Sequence, residues 1–166
     1  ATDAALDDDI QIGLVLDPAH TGDGRKLTDY FAYGQAVLAP GDGVVSVAGD
    51  TLPDQLPGET DRAHPAGNMV LIDHGNGEYS LLAHLQPKSL RVKPGDRVKA
   101  GQPLGEGGNS GNTSEPHIHY HLQHSATPLQ GDGLPVFYDE AIVDGQPTRH
   151  VEARRGQSLA PAAKAR

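Results

Sequence analysis

The densest chemistry in the sequence lies in one run, Pro116-His117-Ile118-His119-Tyr120-His121-Leu122-Gln123-His124. Histidine is the commonest metal ligand and a frequent general acid or base, so its recurrence at every second position is informative. On a strand, alternate side chains point to opposite faces. Ile118, Tyr120 and Leu122 then share one face and reach a core, while His117, His119 and His121 share the other. Three imidazoles in line are costly unless water, a metal or a hydrogen-bond partner satisfies them. The chemistry on offer is metal ligation or proton transfer. Tetrahedral zinc binds His nitrogen at about 2.0–2.1 Å, and catalytic zinc keeps three protein ligands plus a water. The competing reading is a solvent-facing polar strand face.

Other candidates are less telling one by one. His84 lies in YSLLAHL, where the period of two puts it on one face with Ser80 and Leu82, opposite Leu81, Ala83 and Leu85. Taken alone it reads as a half-buried structural histidine. His74, beside a turn in IDHGNG, reads as structural, and His64, His124 and His150 as solvated. Asp17 closes GLVLD just before a proline, as a metal ligand or as a turn-capping carboxylate. His20 follows three residues later in a loop, and Asp29 in LTDYFAYG is a further carboxylate candidate. Gly108-Asn109-Ser110-Gly111 departs from Gly-x-Ser-x-Gly, so serine-nucleophile chemistry is disfavoured.

These residues must be positioned by short strands. Apolar runs of four to eight residues are bounded by Gly, Pro, Asn or Asp, which is the strand pattern. The candidates are 12–17, 36–40, 43–49, 68–75, 79–85, 91–98 and 117–124. The Asn76-Gly77 pair between two of them is a strong hairpin signal. The segment 133–144 fits either a strand or a short helical turn. Residues 50–66 and 105–116 form long polar loops, the usual place for functional residues. The fold class expected is all-β: a mostly antiparallel two-sheet sandwich or partly open barrel. Its groove is floored by 79–85 and 117–124, with long loops at the rim. Three parts are expected: an acidic flexible lead-in over 1–11, a β domain over 12–150, and a basic flexible tail over 151–166.

Composition agrees with that class and excludes others. The 166 residues suit one domain. Gly (21) and Pro (13) make up about a fifth of the chain, as many tight turns require. With no Cys, disulfide scaffolds and thiol catalysis are out. A net charge of −9 and the absence of Trp argue against a nucleic-acid surface. No apolar run approaches the roughly 18–20 residues of a membrane span. No charged-then-apolar leader is visible, so an exported chain would be a processed form.

The sequence resembles the lysostaphin-type (LytM-type) zinc metallopeptidase family. The matching pieces occur in the family's order: GQAVLAPGDGVV (34–45), GNMVLIDHGNG (67–77), YSLLAHL (79–85) and VKPGDRVKAGQPLGEGGNSGNTSEPHIHYHL (92–122). The resemblance implies roles. His119 and Asp17 would be metal ligands for Zn2+. His117 and His84 would be the catalytic histidines that orient water and stabilise the oxyanion. The implied activity is hydrolysis of peptide bonds in stem or bridge peptides of bacterial peptidoglycan, in the periplasm or outside the cell.

One departure stands out. The family's front element is His-x-x-x-Asp, but the residue four before Asp17 is Gly13, and four before Asp29 is Arg25. His20 or Asp29 is then left as the source of the third ligand. The strand also carries His121 where the family often has an acid. The alternative is therefore a catalytically degenerate domain that regulates cell-wall hydrolysis by binding, with a cell-wall amidase as a possible partner. The stretch 92–105 also resembles the hairpin of biotinyl and lipoyl carriers, but no Lys lies at the tip of a suitable turn. The basic residues Arg149, Arg154 and Arg155 near the tail offer a docking contact.

Overall fold

A computed structural model describes residues 19–152 and 159–161. Asp17, the expected strand over 12–17 and the expected lead-in over 1–11 lie outside the described residues. The architecture is all-β apart from a single 3-10 turn at Leu27–Asp29. The strands are β1 (Ala36–Leu38), β2 (Gly43–Gly49), β3 (Met69–Gly75), β4 (Glu78–Ala83), β5 (Arg97–Val98), β6 (Pro103–Glu106), β7 (His119–Gln123), β8 (Gly133–Leu134), β9 (Phe137–Val143), β10 (Gln146–Glu152) and β11 (Leu159–Pro161). All named pairings are antiparallel. A six-stranded sheet runs β5-β2-β3-β4-β7-β8, a small sheet pairs β1 with β6, and a third runs β10-β9-β11. No helix of the described residues is long and apolar enough to cross a membrane.

Local chemistry explains the pairings that matter. Asn76 (φ 56°) and Gly77 (φ 78°) both sit in the left-handed region, as the tight turn between β3 and β4 requires. The ambiguous 133–144 segment is strand, as β8 and β9. The expected strand over 91–98 forms only at β5, because Lys93-Pro94-Gly95-Asp96 makes a turn, with Asp96 N donating to Lys93 O. Within the stretch expected as a tail, Val151 and Glu152 pair with β9, and so does β11.

The two faces of the large sheet differ. One face carries Val45, Val70, Ile72 and Leu82, which pack with Val37, Ala39, Leu85, Val98 and Leu104 as the main core. Tyr120 packs against it from β7. The other face carries Leu71, Leu81 and Ala83, packed with Ala66 and flanked by Val47, Met69 and Tyr79. The β4–β7 register puts Ala83 opposite His119, Leu81 opposite His121 and Tyr79 opposite Gln123. Directly opposed residues share a face, so the histidines of β7 stand on the second face.

Candidate functional site

Three imidazoles converge where β4 ends and β7 begins. The His84 ring centroid lies 4.9 Å from that of His117 and 5.9 Å from that of His119. Each reaches the cluster by a different device. His119 is the first residue of β7 and is directed there by the pleat. His117 precedes the strand, so only His119, His121 and Gln123 follow the period of two on this face. His84 follows β4 and has φ 63°, a left-handed conformation rare for a residue with a side chain. That reversal takes its ring off the Ser80 and Leu82 face, where a continued strand would have put it, and over to His119. Its backbone is held on both sides, His84 N donating to Ala66 O at 3.0 Å and Gly108 N donating to His84 O at 3.0 Å.

The loop that carries Asn109 and Ser110 is a buried buttress. Asn109 and Ser110 are fully buried, and Thr113 nearly so. Gly67 and Gly111 allow two backbones to touch: a Cβ on Gly67 would lie 2.2 Å from Ser110 O, and one on Gly111 2.4 Å from Gly67 N. Ser110 Oγ donates to Leu85 O (2.8 Å) and accepts from Asn68 N (2.9 Å). The Asp54 carboxylate accepts from Asn109 N (2.7 Å) and from the Tyr33 hydroxyl (3.1 Å), which ties the 50–66 loop to the same place. Burial pushes the Asp54 carboxyl above its usual range, and burial followed by the Asp54 charge pushes the Tyr33 hydroxyl up to about 12.

Hydrogen-bond partners fix how two imidazoles are protonated. His84 Nδ1 is 2.8 Å from Ser110 O. A carbonyl oxygen can only accept, so Nδ1 carries the hydrogen and the neutral ring leaves Nε2 bare. His117 Nδ1 is 2.8 Å from Glu115 O, with Thr113 Oγ1 at 3.1 Å, so it too carries the hydrogen on Nδ1. Its Nε2 is buried and has no hydrogen-bond partner among the described residues. An orphaned buried polar atom costs stability and calls for an explanation. Burial, followed by the neighbouring His117, depresses His84 from 6.5 to about 4, against the opposing effect of the Ser110 carbonyl. Burial, followed by His121 and His117, depresses His119 to about 4. Both rings are therefore neutral near pH 7, the state in which imidazole ligates metals and accepts protons.

Neither alternative source of a third ligand joins this cluster. His20 bridges to Tyr30, with ring centroids 5.0 Å apart, and its Nδ1 lies 3.3 Å from Thr21 O. Asp29 caps its 3-10 turn by accepting from Lys26 N at 3.1 Å. Among the described residues no group of three His, Cys, Asp or Glu is arranged to hold a metal ion. His74 is structural: it bonds Asp42 O and Ser80 Oγ, both at 2.7 Å. His64 pairs with Asp61 at the surface, and His124 and His150 are exposed. Sequence reasoning missed Thr113, the carbonyls of Ser110 and Glu115, and Gln123. Of these only Gln123 had a legible signal, since it continues the alternation of His119 and His121.

Residues 24–131 match the family model described as Peptidase family M23. A peptidoglycan DD-endopeptidase, ShyA, from Vibrio cholerae is 39% identical over 90 residues, which is 54% of this chain and 17% of that protein. The cell division protein DipM from Caulobacter vibrioides is 33% identical over 110 residues, 66% of this chain and 15% of that protein. The chain thus spans less than a fifth of the length of either relative. Among solved structures, the catalytic domain of a prophage-encoded M23 protein, EnpA, from Enterococcus faecalis aligns with a TM-score of 0.48 at 25% identity. That alignment covers 61% of this chain and 67% of the other.

Proposed function

The chain belongs to Peptidase family M23, and from that premise we propose that it is a zinc-dependent endopeptidase acting on stem or bridge peptides of bacterial peptidoglycan. The observation that carries the reading is the convergence of the His84, His117 and His119 rings, with the buried Nε2 of His117 left without a hydrogen-bond partner among the described residues. A buried ring nitrogen with no packing role suits proton transfer. His119 and Asp17 would hold the zinc; of these only His119 lies among the described residues, and its neutral imidazole is the form that ligates a borderline cation. When bound, zinc supplies Lewis-acid polarisation and lowers the pKa of a water.

The chain's own residues do the rest. His84 presents bare Nε2 to a water as a hydrogen-bond acceptor and orients it. His117 Nε2 takes the proton from that water as its oxygen bonds the peptide carbonyl carbon. The imidazolium so formed donates to the developing oxyanion, then returns the proton to the amine nitrogen as the C–N bond breaks. Ser110 O and Glu115 O hold the two rings in the required tautomers throughout. The peptidase unit expected at 12–150 is extended by Val151, Glu152 and β11, which pair with β9, and its proposed action lies in the periplasm or outside the cell.

The test is digestion of purified peptidoglycan with the zinc-loaded protein, followed by chromatography and mass spectrometry of the fragments. New amino termini within cross-link peptides are expected, lost with chelator and restored by zinc. Intact cross-links alongside stoichiometric zinc would sink the endopeptidase reading and leave the chain a binding module for wall peptides or for an amidase.

A further inference from the structure

We propose that Asp54 is a positioning residue for His84: its carboxylate pins the 107–110 segment against the end of β4, and that segment holds His84 at both its carbonyl and its ring. The consequence for hydrolysis rests on the reading of His84 as a catalytic residue; the pin itself does not.

The backbone of 107–110 is bonded on two sides. Toward β4, Gly107 bridges to Leu85, Gly108 N donates to His84 O at 3.0 Å, and Ser110 O accepts from His84 Nδ1 at 2.8 Å. That last bond keeps its direction whatever the charge on His84, because a carbonyl only accepts. Asn109, between these two contacts, is bonded the other way. Its N–H donates to Asp54 Oδ1 at 2.7 Å, its carbonyl accepts from Gln55 N at 2.9 Å, and its Nδ2 donates to Gln55 O at 2.9 Å. Successive residues thus face opposite partners, as they do in a central strand. His84 and Asp54 therefore grip the same three residues from opposite sides.

The grip on the Asp54 side is close. Asn109 is fully buried, so without the carboxylate its N–H would be left unsatisfied. Gly108 has no room for a side chain, since a Cβ there would lie 2.7 Å from Asp54 Oδ1 and 2.6 Å from Gln86 N. The carboxylate thus packs directly on the backbone whose next N–H it accepts. Its second oxygen accepts from the Tyr33 hydroxyl at 3.1 Å, which orients it from a third segment. His84 needs such holding, because a φ of 63° persists only where the surroundings impose it. Asp54 thereby acts through the 108–110 backbone on the angle at which His84 presents Nε2.

The test has two arms. The first is long-range 1H–15N correlation spectroscopy on metal-free protein with 15N-labelled histidine rings and backbone amides. The parent protein is expected to show His84 as a single tautomer with hydrogen on Nδ1. Asp54→Leu, which removes the acceptor and keeps a side chain of similar size, should turn His84 into a tautomer mixture and move the Asn109 amide signal. Asp54→Asn, whose amide oxygen still accepts from Asn109 N, should keep the parent pattern at His84. An unchanged His84 in Asp54→Leu, or equal disturbance in Asp54→Asn, would overturn the pin. Should Asp54→Leu not fold, Asp54→Glu sets the carboxylate one methylene away and is expected to shift Asn109 and His84 together; a shift at Asn109 alone, or at neither, would overturn it. The second arm is a double-mutant cycle on the zinc-loaded protein with purified peptidoglycan. Asp54→Leu is expected to lower kcat by about 10–100-fold at little change in KM, and to have almost no further effect in a His84→Ala background. Equal losses in both backgrounds would mean that Asp54 acts on the fold at large and would overturn the positioning role. If the parent protein hydrolysed nothing, the endopeptidase reading would fail while the first arm still decided the pin. Preserved amide spectra elsewhere in each variant exclude misfolding as the cause.

Discussion

His117 and His84 differ in what their ring nitrogens do for the fold. The orphaned Nε2 of His117 makes no bond that stabilises the fold, whereas its Nδ1–H bond to Glu115 O is worth about 1 kcal/mol. Removing the ring loses that bond but also removes a buried unsatisfied acceptor, a penalty of about 1–3 kcal/mol. On those two terms His117→Ala should leave stability unchanged or raise it by up to about 2 kcal/mol, while, on the proposed role, lowering kcat by about 10²–10⁴-fold, the usual share of a general base. Denaturant titration beside steady-state kinetics checks both halves, and a large stability loss would argue for a structural role. His84 and His119 make a second prediction, about pH. Both bind protons more weakly folded (about 4) than at their ordinary value of 6.5. Between about pH 6.5 and pH 4 the unfolded chain takes up protons that the folded chain refuses, so stability falls as pH falls through that window. Below about 4 this contribution levels off. In metal-free protein the melting temperature should drop across that window, and His84→Gln should flatten the slope.

At the scale of elements, the site depends on how β4 stops. His84 turns across the sheet because its N–H bonds Ala66 O and its carbonyl bonds Gly108 N, and both contacts depend on the buttress around Ser110. Ser110→Ala would leave Leu85 O with one fewer donor and Asn68 N without its hydroxyl partner, both fully buried. The expected cost is about 2–4 kcal/mol, read by thermal or denaturant unfolding, together with lost activity. A Cβ on Gly67 should be at least as harmful, since it would meet Ser110 O at 2.2 Å in a backbone with φ 59°. The strands were readable because their signals are local: apolar runs, period two, and Asn76-Gly77 at the hairpin. The Asn109–Ser110 loop was readable only as a loop, because its burial depends on Gly67 from another segment. The face of His84 was not readable at all. Period two assigns it to the Ser80 face, and only the tertiary bonds at Ala66 and Gly108 reverse it. At β7 the sequence showed the alternation, but not that His117 falls before the strand.

For the molecule as a whole, charge sets how the domain meets its substrate. The chain carries −9, and several of the described cations are paired at the surface: Arg25 with Asp23, Lys99 with Asp42, Lys93 with Asp96, Arg91 with Glu106 and Arg149 with Glu140. Such exposed pairs add little stability, yet they remove free positive charge from the surface. An acidic domain approaching an anionic wall polymer is repelled over a Debye length of about 30 Å at 0.01 M salt and about 8 Å at 0.15 M. Raising ionic strength across that range should leave hydrolysis of intact peptidoglycan unchanged or increase it, because salt screens repulsion rather than attraction. Hydrolysis of a short uncharged cross-link peptide should not respond, since such a peptide carries no charge for salt to screen. Initial rates on both substrates over the same salt series separate docking from chemistry. A rate on intact peptidoglycan that falls with salt would point to a cationic docking element, and Arg154 and Arg155, beyond β10, would be the first residues to replace.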